Sequence, residues 1–382
     1  PVAEEFARAG HEPHLLMLHP TWDRLRSRRL VVHGVTADYV GQMHVYGYPG
    51  ARRYYRPTQL LFVSLRAALA LAAHTIQLRP AIIQIAKAQP INGLAGLLAA
   101  RWLGCPIVVD CDDYEAAANR FGAAWQRTLV EVWEDRLPLQ AAGVTVNTRF
   151  LEQRNLALGV PAAHIRYIPN GVTAEHFLRP ATVQLQALKS ALGLAGHPTM
   201  IYLGTMSTIA HGVGLLLNAF ALAHQRMPQA RLLMVGDGDD RMLLQQQAIE
   251  LGLGNAVIWT GRVLPQAARA YLALADASTD PVANTPAMAA RSPLKLVESM
   301  AQGIPVLTGD VGDRRETLAG IAGQIVIPGD AAALADGIVA LLGDQALRAR
   351  LAAGAQQRAE DFRWERLARP WLDVIEAIYR TV

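Results

Sequence analysis

The sequence is poor in cysteine, in aromatic residues and in charge. Its two cysteines, Cys105 and Cys111, offer no disulfide framework and no metal-ligand spacing, which is typical of a protein from a reducing cytoplasm. Aromatic residues make up 6% and charged residues 18%, against 52% hydrophobic residues, a composition that excludes a disordered chain. The longest apolar run, residues 60–78, is interrupted by Ser64 and Arg66, so it predicts a buried helix and not a membrane span.

The sequence also lacks the motifs of several enzyme classes. No G-x-S-x-G elbow indicates a Ser-His-Asp triad, and no H-E-x-x-H or Cys/His cluster indicates a metal. Gly236 and Gly238 follow a predicted strand, but Arg241 stands where a dinucleotide fingerprint has its third glycine. A tight turn at a strand end explains the two glycines better than a dehydrogenase does.

Positive charge is in excess, with a net charge of +4. Near the start of the chain lies a basic cluster with two tyrosines inside it: Arg24, Arg26, Arg28, Arg29, Arg52, Arg53 and Arg56, with Tyr54 and Tyr55. Such a cluster suits peripheral contact with an anionic membrane at the cytoplasmic face, or an anionic substrate, or it is a solvated basic surface. Nucleic acid is disfavoured because no nucleic-acid-binding motif accompanies the cluster.

Strands and helices alternate along the chain, and its 382 residues suffice for two domains. Predicted strands lie at 14–18, 81–86, 106–110, 143–147 and 164–168, and after a linker at 200–203, 231–235, 256–259, 277–280 and 305–307. This alternation with short connections predicts two parallel, doubly wound sheets. The default ligand site of such a protein is the cleft between the two domains.

The chain begins with helical spacing over residues 1–9, followed by the strand at 14–18. A doubly wound domain normally begins with a strand and a glycine-rich turn. We therefore expect that the first strand of the N-terminal domain and its glycine-rich turn lie outside this sequence.

Acidic residues follow the strand at 106–110. Asp110, Asp112 and Asp113 lie at its carboxyl end, where open α/β sheets bind ligands. Three carboxylates there are costly unless they are solvated, paired or liganded. This predicts an acceptor or sugar site. Lys87 and Asn92, which precede this strand, are assigned to the same site, although they match no sequence motif closely. The alternative is that Asp113 caps the next helix.

The stretch from Arg291 to Val306 predicts a phosphate site. Ser292 suits an N-cap and Pro293 a first helical position. The amides of Leu294 and Lys295 then point to a ligand at the positive end of the helix dipole, where Lys295 adds a full charge. Glu298, on the same helix face, can accept from sugar hydroxyls. The alternative is that Lys295 and Glu298 pair with each other on the surface.

With these elements the chain resembles the retaining glycosyltransferases of family 4, which have the two-domain GT-B fold. The likeness covers nearly the whole chain and rests on residues 292–306, 168–172, 235–238 and 261–263, with Phe177 and Gly204. It implies two Rossmann-like doubly wound domains that face each other across a cleft. The expected limits are 1–178 for the acceptor domain, 179–361 for the donor domain, and 362–382 for a C-terminal helix that crosses back to the first domain.

The resemblance implies transfer of a sugar, with retention, from a nucleotide-diphosphate sugar to a hydroxyl acceptor in glycan, glycolipid or glycoside synthesis. It implies no cofactor and no metal. One alternative is a catalytically degenerate homologue that serves as a nucleotide-binding or accessory subunit. An epimerase or a phosphorylase on the same architecture is a further alternative, and the phosphorylase is disfavoured because no pyridoxal-phosphate lysine context is recognisable.

By the same resemblance, Asp112, Lys295 and Glu298 are the expected catalytic residues. The expected donor-binding residues are Gly204, Thr205, His211, Gly236, Arg262, Val263, Arg291, Ser292, Pro293, Leu294, Lys295 and Glu298. Among them, Glu298 is expected to hold the ribose, and the backbone of Arg262 and Val263 is expected to contact the base. The expected acceptor residues are Asp110, Asp113, Lys87 and Asn92.

The sequence departs from the family pattern at four places. Ala290 replaces the first of two glutamates, and Thr205 and His211 replace a basic pair. Asp112 stands where a histidine often follows the central strand of the first domain, and the glycine-rich loop is absent. Phosphate neutralisation is therefore expected from Lys295 and a protonated His211.

Overall fold

The computed structural model describes residues 1–47, 53–208 and 211–380. The chain forms two compact units, one of Pro1–Pro169 with Trp364–Val382 and the other of Asn170–Arg363. The first unit ends earlier than the expected limit at 178, because the residues that follow Pro169 pack as part of the second unit. Within that unit the Val172 amide donates to the Phe362 carbonyl at 2.8 Å, for example.

The first unit contains a three-stranded sheet, a four-stranded sheet and a short antiparallel pair. The first sheet has the order β1-β3-β2, with β3 parallel to β1 and antiparallel to β2; the second, β6-β7-β8-β9, is entirely parallel. The strands are β1 His14–His19, β2 Arg29–Val32, β3 Val35–Gln42, β4 Val45–Tyr46, β5 Arg53–Tyr54, β6 Ile83–Ala86, β7 Ile107–Cys111, β8 Gly143–Val146 and β9 Ile165–Tyr167. The helices are α1 Val2–Arg8, α2 Pro57–Leu78, α3 Pro90–Leu103, α4 Glu115–Ala118, α5 Ala124–Arg136 and α6 Arg149–Leu158, with 3-10 turns at Trp22–Arg24, Pro138–Gln140 and Ala162–His164.

The last helix, Trp364–Tyr379 (labelled α16 below), belongs to the first unit, so the predicted return of the chain is confirmed. Val374 and Ile378 pack on Val108 of the central strand β7. Gly143 makes this contact possible, because a Cβ there would lie 2.9 Å from the Val374 side chain. The amphipathic spacing of the helix thus buries one face against the parallel sheet.

The prediction of a buried helix at 60–78 is wrong in its burial. Helix α2 packs through Ala67, Ala68, Leu71 and Ala72 against the unit, and its opposite face exposes large apolar side chains. These are Leu61, Phe62, Leu65 and Leu69, which are between 49% and 68% exposed. Within the described residues, α2 is the one helix that meets the length and hydropathy of a membrane span, and 22% of its most apolar window is buried.

The second unit has a six-stranded parallel sheet of order β12-β11-β10-β13-β14-β15. Its strands are β10 Thr199–Leu203, β11 Arg231–Val235, β12 Val257–Gly261, β13 Ala277–Asp280, β14 Val306–Gly309 and β15 Gly323–Val326. Its helices are α7 Thr182–Ala191, α8 Val213–Arg226, α9 Arg241–Glu250, α10 Pro265–Leu272, α11 Pro286–Ala289, α12 Leu294–Ala301, α13 Arg314–Leu318, α14 Ala331–Gly343 and α15 Gln345–Ala359, with 3-10 turns at Ala174–Phe177, Gly254–Ala256 and Glu360–Phe362; α16 follows. The near-continuous apolar strands of the centre are buried on both faces, as parallel sheets require.

Candidate functional site

Helix α12 begins one residue later than predicted, and Ser292 is not its cap. Pro293 occupies the N-cap position and makes no side-chain cap. The Ser292 hydroxyl instead accepts the Asn170 amide at 3.1 Å, and its carbonyl accepts Asn170 Nδ2 at 3.1 Å. The amides of Leu294 and Lys295 still lie in the first turn, where a helix offers them no carbonyl.

Lys295 and Glu298 do not depend on each other for a partner. Lys295 Nζ lies 3.1 Å from Asp280 Oδ1 and 4.5 Å from the centre of the Tyr202 ring. Glu298 Oε1 lies 3.6 Å from His176 Nε2. The alternative of a Lys295–Glu298 surface pair is therefore wrong.

Asp280 joins two cations at the carboxyl end of β13. Its second oxygen accepts Arg314 Nε at 2.9 Å, and Arg314 also donates to the Met288 and Val311 carbonyls. Burial would raise the pKa of Asp280, but Lys295 and Arg314 hold it well below its usual range. Burial would lower the pKa of Lys295, which Tyr202 and Asp280 raise above its ordinary value. Lys295 is therefore a fixed positive charge.

Gly204 lies against Lys295, and Gly236 lies against Gly204. A Cβ on Gly204 would lie 3.3 Å from Lys295 Nζ and 3.3 Å from the Tyr202 hydroxyl, and Gly204 has φ +153°. Gly236 has φ +132°, and a Cβ there would overlap the Gly204 carbonyl oxygen. The Gly236–Gly238 pattern thus serves the close passage of two strand-end loops, and the Lys295 ammonium lies buried below them.

The prediction of a protonated His211 is wrong. Burial, together with Lys295 and Arg291, lowers the pKa of His211 to about 3, so its ring is neutral at physiological pH. His211 Nδ1 lies 3.0 Å from Arg291 Nη1. Thr205 is exposed and its carbonyl accepts the Tyr202 hydroxyl at 2.7 Å.

A cavity of ≈ 130 Å³ lies beside Glu298. It is lined by Glu175, His176, Pro265, Gln266, Ala268, Arg269, Leu272 and Glu298. The backbone amide of Thr173 donates to His176 Nδ1 at 3.2 Å, which leaves Nε2 directed toward Glu298. Of the two residues expected at the base, Arg262 is exposed and Val263 packs on an apolar cluster of the second unit.

In the first unit, the carboxylates after β7 surround Lys87. Lys87 Nζ lies 2.8 Å from Asp113, 2.6 Å from Glu115 and 3.7 Å from Asp112. Asp112 also accepts Asn147 Nδ2 at 2.6 Å. The capping alternative for Asp113 is wrong, because Tyr114 is the N-cap of α4 and makes no side-chain cap.

The other two expected acceptor residues have local partners. Asp110 Oδ1 accepts the Thr145 hydroxyl at 2.7 Å, and burial raises the pKa of Asp110 to about 7. Asn92 Nδ2 donates to the Ala86 carbonyl at 2.8 Å. Within the described ranges, no group of three His, Cys, Asp or Glu side chains is arranged to hold a metal ion.

The basic cluster is partly engaged in local contacts. Arg29 donates to Asp38 at 2.7 and 3.0 Å, and Arg28 lies 4.0 Å from the centre of the Trp22 ring. Arg52 lies outside the described residues. Arg24 and Arg56 are exposed.

Sequence reasoning missed the partners that hold these residues. Asp280 ends a predicted strand at the same sheet edge as the start of α12, so the strand-end rule was enough to nominate it. No pattern distinguishes Arg314, Glu115, Asn147 or His176 from ordinary polar residues of their helices and loops. Their importance depends on contacts between distant parts of the chain.

Two family models match the chain, one on each half. The family model for group 1 glycosyl transferases matches residues 197–344, and that for the glycosyl transferase 4-like domain matches residues 1–171. Among curated proteins, the chain is 32% identical over 227 residues to the phosphatidyl-myo-inositol mannosyltransferase of Mycobacterium leprae, a match that covers 58% of this chain and 55% of the relative.

A second relative is the GDP-mannose-dependent alpha-(1-6)-phosphatidylinositol monomannoside mannosyltransferase of Mycobacterium tuberculosis, 28% identical over 236 residues, or 61% of each chain. The chain thus matches less than two thirds of the length of these relatives. Sucrose-phosphate synthase from Thermosynechococcus elongatus has a TM-score of 0.79 at 20% identity, covering 100% of this chain and 92% of its own. Anabaena HepE, solved with UDP and glucose, has a TM-score of 0.71 at 20% identity. The match covers 90% of this chain and 87% of the HepE chain. These likenesses confirm the predicted α/β fold class.

Proposed function

We propose that this protein is a retaining glycosyltransferase that moves a sugar from a nucleotide-diphosphate sugar to a hydroxyl acceptor. The observation that carries the proposal is the buried Lys295, held by Asp280 beneath Gly204 at the start of α12. Departure of a nucleoside diphosphate needs positive groups fixed in place before the reaction. Lys295 and the first amides of α12 meet that need without a metal ion or a cofactor.

The remainder of the donor fits the space beside Glu298. The carboxylate borders the cavity of ≈ 130 Å³ and accepts ribose hydroxyls in this proposal. The relatives that use GDP-mannose favour mannose as the sugar, while HepE binds UDP and glucose. GDP-mannose and UDP-glucose are therefore the first two donors to test.

The acceptor side is assigned to the acidic edge of the first unit. Asp112 is the proposed partner for the acceptor hydroxyl, because Lys87 is 3.7 Å from it and closer to Asp113 and Glu115. The curated relatives carry phosphatidylinositol in their names, which favours a lipid-linked polyol as the acceptor class. A degenerate subunit is disfavoured, since the buried charges around Asp280 are intact.

A donor panel on the protein tests the proposal. Wild-type protein is expected to bind GDP or UDP in calorimetry and to turn over the matching nucleotide sugar. Glu298→Ala is expected to weaken nucleotide binding by about 10- to 100-fold, the value of a hydrogen-bonded charged group. Its melting temperature should stay unchanged because the side chain is half-buried at the cavity and not in the core.

The matched control is Glu250→Ala at the exposed end of α9, which should leave nucleotide binding unchanged. Binding without turnover of any donor would favour the degenerate subunit. Absence of both nucleotide binding and turnover in the folded wild-type protein would contradict the proposal. If Glu298→Ala changes the melting temperature but not the nucleotide affinity, Glu298 has a structural role.

We further propose that the first unit contacts an anionic membrane from the cytoplasmic side. The basic cluster leads directly into α2, which exposes Leu61, Phe62, Leu65 and Leu69. Neither α2 nor its packing neighbour α3 contains an acidic residue, and α3 adds Trp102 at 77% exposure. A helix with one face packed on protein and one apolar face exposed beside arginines suits the lipid interface.

Substitution of Leu61 and Phe62 by serine should reduce binding to vesicles of phosphatidylglycerol and phosphatidylcholine by at least about tenfold, because each apolar side chain contributes about 1.5–3 kcal/mol when buried. Sedimentation with vesicles measures this. Met242 and Leu243 on α9, at 78% and 60% exposure, supply the control pair. Equal losses for both pairs, or no vesicle binding by wild-type protein, would contradict the membrane contact.

A further inference from the structure

Glu298 and His176 meet at the cavity of the second unit, and both side chains are accessible. Their exposed fractions are 22% and 29%, and both line the cavity of ≈ 130 Å³. His176 Nε2 lies 3.6 Å from Glu298 Oε1, which is longer than a direct hydrogen bond. Within the part of the chain that the structure describes, no group donates a hydrogen bond to the Glu298 carboxylate. The carboxylate therefore keeps its acceptor capacity for a ligand.

The proton position of His176 follows from its contacts with Thr173. The Thr173 amide nitrogen lies 3.2 Å from His176 Nδ1, and the Thr173 hydroxyl lies 3.0 Å from the same ring nitrogen. A backbone amide can only donate, so Nδ1 accepts and the ring carries its proton on Nε2. The imidazole therefore presents an N–H group to the carboxylate of Glu298.

The backbone around His176 is hydrogen-bonded to the helix that carries Glu298. Gln302, at the C-terminal end of α12, donates through Nε2 to the carbonyls of His176 and Leu178. Arg179 donates to the Gln302 carbonyl at 3.2 Å. Gln302 is 2% exposed, so these bonds are shielded from solvent and hold the His176 ring in a fixed place relative to α12.

The turn that contains His176 is also bonded to α10, which supplies most of the cavity lining. Arg269 of α10 donates to the carbonyl of Glu175, the residue before His176. The cavity therefore combines an accepting carboxylate with N–H donors on hydrogen-bonded elements. Hydroxyl groups both donate and accept, so a sugar edge with neighbouring hydroxyls matches this set of groups.

We propose that His176 is a positioning residue that orients the carboxylate of Glu298 toward the ribose hydroxyls of the donor nucleotide. It rests on the function proposed above. The Nε2–H dipole attracts one carboxylate oxygen, while the bonds to Thr173 and Gln302 hold the ring in place before the ligand arrives. Orientation of this kind lowers the cost of ordering the side chain on binding. It therefore strengthens the discrimination between ribose and deoxyribose.

Calorimetry with GDP and UDP, and with their 2′-deoxy and 3′-deoxy forms, tests this positioning role. Wild-type protein should bind a ribonucleotide at least about tenfold more tightly than one of its deoxy forms, the value of a hydrogen bond to a charged group. His176→Asn keeps an acceptor for the Thr173 amide but removes the donor near Glu298, so this ribose preference should fall by at least about threefold. His176→Gln keeps a donor there and should stay within about twofold of the wild-type preference.

A double-mutant cycle separates orientation of the carboxylate from other effects. In the Glu298→Ala background, His176→Asn should cause no further loss of ribose preference, because the ring then has no carboxylate to orient. His164→Asn, at an exposed histidine of the first unit, is the control and should keep the wild-type preference. Melting curves accompany each variant, and His176→Leu takes the place of the asparagine variant if that protein does not fold.

Equal weakening of ribonucleotides and deoxynucleotides by His176→Asn would indicate a purely structural role and overturn the proposal. An unchanged ribose preference in that variant, or a loss that persists without the Glu298 carboxylate, would also overturn it. So would a wild-type protein that binds ribose and deoxyribose forms equally. Nucleotides still bind in each of these cases, so the proposed donor function would stand. Wild-type protein that binds none of the nucleotides would refute both.

Discussion

Lys295→Met should reduce the affinity for nucleoside diphosphates by at least about 100-fold, because it removes a buried charge that is fixed before the ligand arrives. The same change leaves Asp280 with Arg314 as its remaining cation and removes the ammonium beneath Gly204. Turnover of the nucleotide sugar should fall with the affinity or by more, since the departing diphosphate carries more charge than the bound donor. Calorimetry and a product assay measure the two effects.

Lys189→Met is the matched control, because Lys189 lies in the last turn of α7 and is half-buried away from these charges. It should bind nucleotide as the wild type does. Melting curves are needed for both variants, since breaking one arm of a buried ion group also lowers stability. A Lys295→Met protein that folds and binds nucleotide with unchanged affinity would place the diphosphate elsewhere.

Arg314→Met should lower the free energy of unfolding of the second unit by about 3–5 kcal/mol, the cost of breaking a buried ion pair. Arg314 is 1% exposed and its guanidinium satisfies Asp280 and two backbone carbonyls, all of which lose a donor. Urea unfolding measures the change. The neighbouring Arg315→Met is the control: Arg315 pairs with Asp310 in solvent, at 67% exposure, and its loss should leave the free energy of unfolding nearly unchanged.

The pH dependence identifies the carboxylate involved. Because the folded-state pKa of Asp280 is lowered, its ion pairs stabilise the protein above the unfolded carboxyl pKa near about 4, and the stabilisation is lost as the pH falls below it. The gap between wild-type and Arg314→Met proteins should therefore narrow in acid. A gap that persists unchanged at low pH would assign the loss to the two carbonyl bonds.

Helix α12 could be predicted from the sequence because the residues that indicate it lie within and next to it. Residues 292–303 carry a proline near the start, a lysine and a glutamate on one face and a glycine after the end, and α12 spans Leu294–Ala301. Its cap could not be predicted in the same way. The Ser292 hydroxyl accepts a hydrogen bond from the amide of Asn170, which is distant in sequence. The residues at the helix start do not indicate that partner.

Charge states and burial were harder to predict than elements. His211 looks like a physiological cation by residue type, yet burial, together with the nearby Lys295 and Arg291, lowers its pKa and keeps it neutral. The apolar composition of α2 predicted burial, whereas Leu61 and Phe62 face outward. In both cases composition describes the residue, while its environment is set by packing against residues far away in the chain.

The ion pairs of Lys87 and Lys295 influence how amine reagents modify the protein. The chain has only three lysines, Lys87, Lys189 and Lys295. Lys87 and Lys295 form ion pairs with carboxylates, and the pKa of each lysine lies above the ordinary value. Ion pairing holds the protons on Lys87 and Lys295, so acylating reagents and lysine acetylation should react more slowly with these two side chains than with Lys189. A label attached there leaves the donor-site charges and the acidic edge of the first unit chemically intact.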